Sequence, residues 1–398
     1  TRVRLIEHEL ERGRWGSALA LLEKERTHTH TGQSDPRGFA WHHFWWRVQQ
    51  GLKRTLAAHD DWVSALAYSP DGKLLASASH DGTVKLWNCA TGDLRRALQL
   101  HDGPVHCIAI SPDSMMVASA GRGADAVVCD VATGHVTRRF QDESESVYAV
   151  GFSPDGRLLA TQGKGTAVSL WNVTTGQLHR TIEVGKPDPR FLGFLRFSPD
   201  GRLLAAAGTG VSISICDIPT CQVRHRKIKA WEGFSDASFS PDGKTLATVG
   251  TDRRIILWDV ETGESTNESQ EGLGFPRSVS FSPDGTSLAV GFGNGTVMLR
   301  DLQHGGTRRY AHVGPISSVA FSPNGRELAS SGRDGTVKLW HVDLQQEPAA
   351  AVQDEKNVWA VAFSPDGRMI ASDEGSGVRL RDVTTGQVLA ELKGGAIG

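Results

Sequence analysis

Between Ala311 and Val342, apolar and polar positions fall into three short runs separated by turn signals. The first run, around Val319 and Phe321, stops at Ser322-Pro323-Asn324-Gly325. The second, Glu327 to Ser331, stops at Arg333-Asp334-Gly335, and the third covers Thr336 to Trp340. Runs of about five residues bounded by Pro, Asn, Asp and Gly predict strands joined by tight turns, and Asp-Gly is a hairpin signal. Ser-Pro-Asp-Gly or a near copy of it begins at Ser69, Ser111, Ser153, Ser198, Ser240, Ser282, Ser322 and Ser364, a spacing of 40 to 45 residues.

A period of this length with several strands per copy predicts an all-β ring of repeated blades, a β-propeller. Eight copies predict eight blades. Polar residues recur inside the copies as well. His312, Ser330, Asp334 and Trp340 return in the first unit as His59, Ser77, Asp81 and Trp87, with the same offsets from His to Asp, Ser to Asp and Asp to Trp. Four residue types at matching offsets resemble the His–Ser/Thr–Asp–Trp tetrad of WD-repeat proteins, over about Leu52 to Leu392. That resemblance implies a structural role for both tetrads, with the histidine holding the aspartate. Elsewhere the tetrad is partial. The fifth unit keeps Thr248, Asp252 and Trp258 with Ala230 in the histidine place, the third keeps Thr161 and Trp171, and the second keeps His101 and Ser119. Cys216, Arg300 and Arg381 stand where tryptophan is expected in the fourth, sixth and eighth. Apolar patterning persists in all eight units, so all eight are expected to form blades.

Residues 1–50 differ in character. Val3, Ile6 and Leu10, then Trp15, Leu19 and Leu22, fall at helical spacing on either side of Gly13. Asp35 and Pro36 suit the start of a third helix and Gly51 its end. Between them Phe39, Trp41, Phe44, Trp45 and Trp46 make a segment apolar all round, which must be buried and is expected to pack on the ring. The expected organisation is a helical lead-in over 1–50 and an eight-bladed propeller over 51–398, with Leu52–Ala57 closing the last blade and Val388–Leu392 either displaced or added outside it. The lead-in also resembles that of bacterial proteins joining WD repeats to serine/threonine kinase domains, although no kinase motif occurs in these residues. The chain begins at Thr1 rather than Met, which fits a segment of a longer protein.

A formal charge of −2 argues against wholesale nucleic-acid binding. Cys89, Cys107, Cys129, Cys216 and Cys221 are odd in number and form no C-x-x-C pair. They read as reduced thiols in a cytoplasmic protein rather than a disulfide framework or metal site. No run of eighteen apolar residues suggests a membrane span. Gly243-Lys244-Thr245 lacks the glycine a phosphate-binding loop needs at Ser238. Asp71, Asp155, Asp200, Asp242, Asp284 and Asp366 belong to separate turns around a ring, so none need meet as a catalytic pair. His28 with His30, and His42 with His43, have no acidic or cysteine partners nearby and do not predict zinc. The expectation is therefore a non-enzymatic interaction scaffold with no catalytic, cofactor or metal residues. Alternatives are a sensor or scaffold region of a larger bacterial serine/threonine kinase or, with least support, a propeller hydrolase.

Two surfaces could bind a partner. The outer-strand stretches are basic, including Arg54, Arg95, Arg96, Arg138, Arg139, Arg180, Arg308 and Arg309. Charge there reads chiefly as edge protection of exposed strands. The WD-repeat resemblance instead implies recognition on the face carrying the outer-to-inner and middle-hairpin loops. It points there to Trp62, His80, Arg122, Tyr148, Lys164, Arg277, Arg333 and Trp359, with His106, Phe191 and Phe275 at equivalent places. Aromatic residues and arginines with few acids among them favour a protein or peptide partner, acidic or phosphorylated.

Overall fold

The structure is a computed structural model and describes residues 2–12, 14–26, 44–45, 48–49, 51–123, 125–141, 146–163, 167–184, 194–207, 212–229, 233–342, 360–363, 369–373, 377–382 and 388–393. Its strands form eight four-stranded antiparallel sheets. In the first, Val63–Tyr68 is innermost, followed outward by Leu74–Ser79, Thr83–Asn88 and Leu94–Gln99. The outer strand thus comes from the start of the next sequence repeat. Ser-Pro-Asp-Gly joins the first two strands, and Asp81-Gly82 joins the second and third with Gly82 at a φ of 85°, a conformation glycine adopts without steric cost.

The ring closes with seven blades, which corrects the expected eight. The innermost strand of the seventh blade, Ile316–Phe321, packs beside that of the first, Val63–Tyr68. Leu52–Ala57 supplies the outer strand of that seventh blade, pairing with Thr336–His341 in the register Leu56↔Val337 and Ala57↔Thr336. The N-terminal strand therefore completes the last blade of the ring, but that blade is built from the seventh repeat. The eighth repeat forms its own sheet of Ala360–Phe363, Met369–Asp373, Gly377–Asp382 and Val388–Lys393, outside the closed circuit. Val388–Lys393 is the outer strand of that sheet rather than a displaced one. Once the first and seventh inner strands meet, the circuit has no gap for another blade.

The opposite face closes at the same junction. Gly72 of the first Ser-Pro-Asp-Gly turn lies against Pro323 of the seventh blade. Among the described residues the other Ser-Pro-Asp/Asn-Gly turns also fit their glycine to the proline of the preceding blade, as in Gly156 with Pro112 and Gly201 with Pro154. Apolar residues fill the spaces between blades. One cluster joins Leu56, Leu66 and Leu75 of the closing junction to Ala329, Val337 and Leu339.

Helices α1 (Arg2–Glu11) and α2 (Trp15–Arg26) pack together through Ile6, Leu10, Leu19 and Leu22. Phe44 and Val48 join this cluster, which rests on Ala311 and Val313 of the ring. The lead-in aromatics thus pack on the ring as expected where they are described. Asp35, Pro36, Phe39, Trp41 and Trp46 lie outside the described residues. At the start of α2 the Trp15 N–H donates to Thr296 Oγ1 at 3.0 Å, satisfying one of the N–H groups a helix start leaves without a partner. Gly16 fits so closely that a Cβ there would lie 2.2 Å from the Asn294 carbonyl oxygen. The hairpin therefore stands on the sixth-blade Asn294-Gly295 turn.

Candidate functional site

Two complete tetrads stiffen the closing junction. In the first blade His59 Nδ1 bonds Asp81 Oδ2 at 2.9 Å, His59 Nε2 bonds Ser77 Oγ at 2.8 Å, and Trp87 Nε1 donates to Ser77 Oγ at 2.9 Å. The seventh blade repeats the chain through Asp334, His312, Ser330 and Trp340. Tryptophan and histidine thus meet at the serine, and the aspartate holds only the far side of the histidine. Asp81 Oδ1 also accepts from the Thr83 N–H at 2.9 Å, which fixes the Asp-Gly turn. Burial holds His59 and His312 below the usual imidazole pKa, against the raising effect of their aspartates. Where histidine or aspartate is lacking, Trp171 still donates to Thr161 and Trp258 to Thr248.

The tetrad-braced turns and the innermost strands share one face, and a repeated irregularity aims side chains onto it. Register shifts fall at Ser64, His106, Tyr148, Ser235, Arg277 and Ser317, near the starts of six of the described innermost strands. A bulge turns its extra residue away from the regular alternation. Through these bulges and the turns a continuous row forms across four blades. The Arg333 guanidinium of the seventh blade lies 3.6 Å from the ring centroid of Trp62 in the first. Trp62 is followed by His80 at 5.3 Å, His106 of the second blade at 5.5 Å and Tyr148 of the third at 5.7 Å. Burial and the neighbouring His80 and His101 push His106 down to about 4, so it is neutral at pH 7. His106 Nδ1 is buried with no hydrogen-bond partner among the described residues.

Of the eight residues singled out from the sequence, Trp62, His80, Tyr148 and Arg333 are joined in this row. Arg277 adjoins its arginine end, where partial burial and Arg333 lower its pKa. Arg122 is exposed on the second-blade turn, its Cβ packed by Gly103, and makes no ring contact with the row. Lys164, Trp359 and Phe191 lie outside the described residues. The structure adds Arg253, whose guanidinium sits 4.7 Å from the Phe275 ring centroid. Arg253 occupies the glycine place of its turn at a φ of 66°. An arginine after Asp252, where Asp81 and Asp334 are followed by glycine, was the sequence signal for it.

The basic outer belt has a packing role. Arg96 donates to the Ala132 carbonyl of the next blade at 2.6 Å, and Arg138 to that of Thr174 at 2.5 Å. Arg54 lies over Gly92 in the same way and so spans the closing junction. The repeated turn aspartates are likewise local: Asp71, Asp155, Asp200, Asp242 and Asp284 each accept from the serine two residues earlier. Burial pushes the thiols of Cys89 and Cys107 up to about 12 and that of Cys129 to about 11, well above reactive values. Among the described residues, no helix is long and apolar enough to cross a membrane.

Comparison with known proteins covers nearly the whole ring. The family described as "IFT122 first beta-propeller" matches residues 43–301, and "WD domain, G-beta repeat" matches 306–341 and 350–382. Curated relatives match over single repeats. Nuclear distribution protein PAC1 of Tuber melanosporum is 44% identical over 43 residues, 11% of this chain and 10% of that protein. Small ribosomal subunit protein RACK1z of Arabidopsis thaliana is 54% identical over 41 residues, 10% and 12% of the two chains. Pre-mRNA-splicing factor prp46 of Emericella nidulans is 41% identical over 49 residues, 12% and 11%. The chain spans about a tenth of the length of these relatives.

Proposed function

Because the chain belongs to the WD-repeat β-propeller family, whose fold is typical of protein-interaction scaffolds, we propose that this ring is a non-enzymatic scaffold holding a peptide segment of a partner protein across its tetrad-braced face. The observation that carries the reading is the row from Arg333 through Trp62, His80 and His106 to Tyr148. Trp62 is 38% exposed although its ring is stacked, leaving apolar surface for a ligand. Aromatic and arginine side chains concentrate binding energy because they offer large area with few rotatable bonds and directed hydrogen bonds. The row is flexible in neither of its supports: the tetrads fix the turns, and the paired innermost strands fix the bulges.

Arg333 heads the row with Arg277 beside it, which favours an acidic segment. The test is affinity capture with the intact protein, followed by peptide mapping of what is retained. A Trp62→Ala/Tyr148→Ala variant should lose the captured partner, while the rim variant Arg95→Ala/Arg180→Ala should keep it. The reverse pattern would assign binding to the outer belt.

A further inference from the structure

The arginine end of the row is charged without compensation. Several other guanidinium groups have acids: Arg196 pairs with Asp236, Arg254 with Glu268 and Arg300 with Glu271. Arg253, Arg277 and Arg333 have no ion pair among the described residues. Arg277, at the bulge of the sixth blade's innermost strand, and Arg333, on the seventh blade's turn, belong to adjacent blades whose innermost strands pack together. After burial, Arg333 is the second cause that lowers the pKa of Arg277. Two like charges side by side raise each other's free energy, and an anion between them removes that cost.

Their surroundings keep them there. Arg277 is the bulged residue of its strand, with its Nε 3.3 Å from where a Gly293 Cβ would lie. Any larger residue at 293 would crowd it. Arg333 is flattened on Trp62, and Arg253 on Phe275, so a stacked guanidinium flanks Arg277 on each side. Stacking uses the face of a guanidinium and leaves its N–H edge free to bond. Arg253 also keeps a left-handed backbone where glycine would be unstrained, a feature that clusters at ligand sites. The helical hairpin stands on the adjoining Asn294-Gly295 turn, so access is from the ring axis and from the aromatic row.

We infer that Arg277 and Arg333, flanked by Arg253, form a subsite for a phosphorylated side chain of the peptide bound along the aromatic row. The inference rests on the scaffold reading above and adds the class of ligand. A phosphate carries close to two charges and three acceptor oxygens at pH 7, enough to bond two guanidinium edges at once. A single carboxylate neutralises only one of them. The ligand is therefore bipartite, with the phosphate over blades six and seven and an apolar or aromatic residue over His80, His106 and Tyr148.

The test is titration of the intact protein with three matched peptide libraries, degenerate except for a central phosphothreonine, glutamate or threonine. The phosphothreonine library should bind about tenfold or more tighter than its glutamate twin. Arg277→Ala/Arg333→Ala should abolish that preference while its melting temperature is retained. Arg277→Lys/Arg333→Lys, which keeps the charge but not the bidentate edges, should recover only part of it. Equal binding of the phosphothreonine and glutamate libraries would overturn the phosphate subsite and leave the scaffold reading standing. So would a preference that survives in the double alanine variant. Binding of none of the three libraries would overturn both. A single-stranded oligonucleotide that binds more tightly than any peptide, and loses binding in the double alanine variant, would assign the arginines to nucleic acid and overturn the inference.

Discussion

Asp236 of the fifth blade accepts a hydrogen bond from Arg196 of the fourth at 2.7 Å. The same carboxylate accepts from its neighbour's N–H at Ala237 and, across the next junction, from Ser278 Oγ and the Val279 N–H. Ser278 Oγ in turn accepts from the Val319 N–H of the seventh blade. One buried carboxylate, 7% exposed, thus begins a chain of bonds linking four successive blades.

Asp236→Ala removes the acceptor for all of these donors at once. Leaving a buried network half satisfied is more costly than the net worth of any single bond, and breaking a buried pair costs about 3–5 kcal/mol. Arg196 is partly exposed and can be solvated when its partner is lost, so the lower end of that range is expected for Asp236→Ala. Arg196→Ala should cost less, because Asp236 keeps its three other donors. Denaturant titration of the two variants checks the order, and equal losses would show that the arginine, rather than the chain of bonds, carries the stability.

The tetrad geometry fixes a second order. Ser330 Oγ receives Trp340 Nε1 at 2.7 Å and meets His312 Nε2 at 2.9 Å, whereas Asp334 Oδ2 meets His312 Nδ1 at 3.2 Å and its Oδ1 accepts from the Thr336 N–H and hydroxyl. Ser330→Ala strands the indole N–H in a fully buried place, while His312 Nε2 keeps the Ser330 carbonyl at 3.2 Å. Each unmet buried polar group costs about 1–3 kcal/mol. Asp334→Ala, which removes the acceptor of His312 Nδ1 and of the Thr336 N–H and hydroxyl, should therefore destabilise at least as much as Ser330→Ala, measured by the shift in urea midpoint at constant slope.

Gly16→Ala tests the seating of the helical hairpin. Alanine is the better helix former, and on an isolated helix the change would stabilise by about 1 kcal/mol. Here the new methyl would overlap the backbone of Asn294 and Gly295, which has no side-chain freedom to yield. The expected result is loss of the hairpin from the ring, read as faster proteolysis between residues 1 and 50 with the ring's own unfolding transition preserved.

Stability should fall in two stages as pH is lowered. Burial depresses His59, His101, His106 and His312 below 6.5. The unfolded chain therefore takes up protons near pH 6.5 that the folded chain does not bind until lower pH. The stability this represents is full above 6.5 and declines as pH falls toward the folded values, about 4 for His106. Asp71, Asp113, Asp155, Asp200, Asp242 and Asp284 are also depressed, chiefly by the bond from the serine of each turn. Their contribution is present above the unfolded carboxylate value and is lost as pH falls through the folded ones. Urea titrations at pH 7.5, 5.5 and 3.5 should show both declines, and His106→Asn should flatten only the first.

Much of this architecture was legible because it is local. Runs of alternating apolar residues, Asp-Gly turns and the matching His59 and His312 tetrads are each contained within one repeat. The blade number was not, because closure is decided by a junction between distant repeats. The repeat at Ser364 carries the same proline, glycine and apolar pattern as those inside the ring, and nothing within it says that Gly72 already occupies Pro323. The positions of Trp62, His80, Tyr148, Arg277 and Arg333 followed from the repeat alignment. Arg253 did not, since the turn residues singled out there precede the aspartate, as His80 and Arg333 do, whereas Arg253 follows Asp252. The bonds of Arg96 and Arg138 were hidden for the same reason as closure: their acceptors belong to the following blade.

Closure by the seventh repeat separates the contributions of the two ends of the chain. Leu52–Ala57 forms the outer strand of the blade that meets the first, and Leu56 is buried in the cluster that seals the junction. Arg54 reaches over Gly92 from the same strand. Removing residues 1–57 deletes that strand, strips pairing from Thr336–His341 and exposes a sheet edge in the seventh blade. The eighth sheet lies outside the circuit, so removing residues 343–398 leaves every junction of the ring in place. A protein ending at residue 342 should therefore unfold with an unchanged midpoint and a single cooperative transition. One beginning at residue 58 should lose several kcal/mol, on the scale of about 1 kcal/mol for each net backbone hydrogen bond lost, and self-associate through the open edge. Ring collapse on loss of residues 343–398, with tolerance of the N-terminal truncation, would place the eighth sheet inside the circuit and refute closure at Leu52–Ala57.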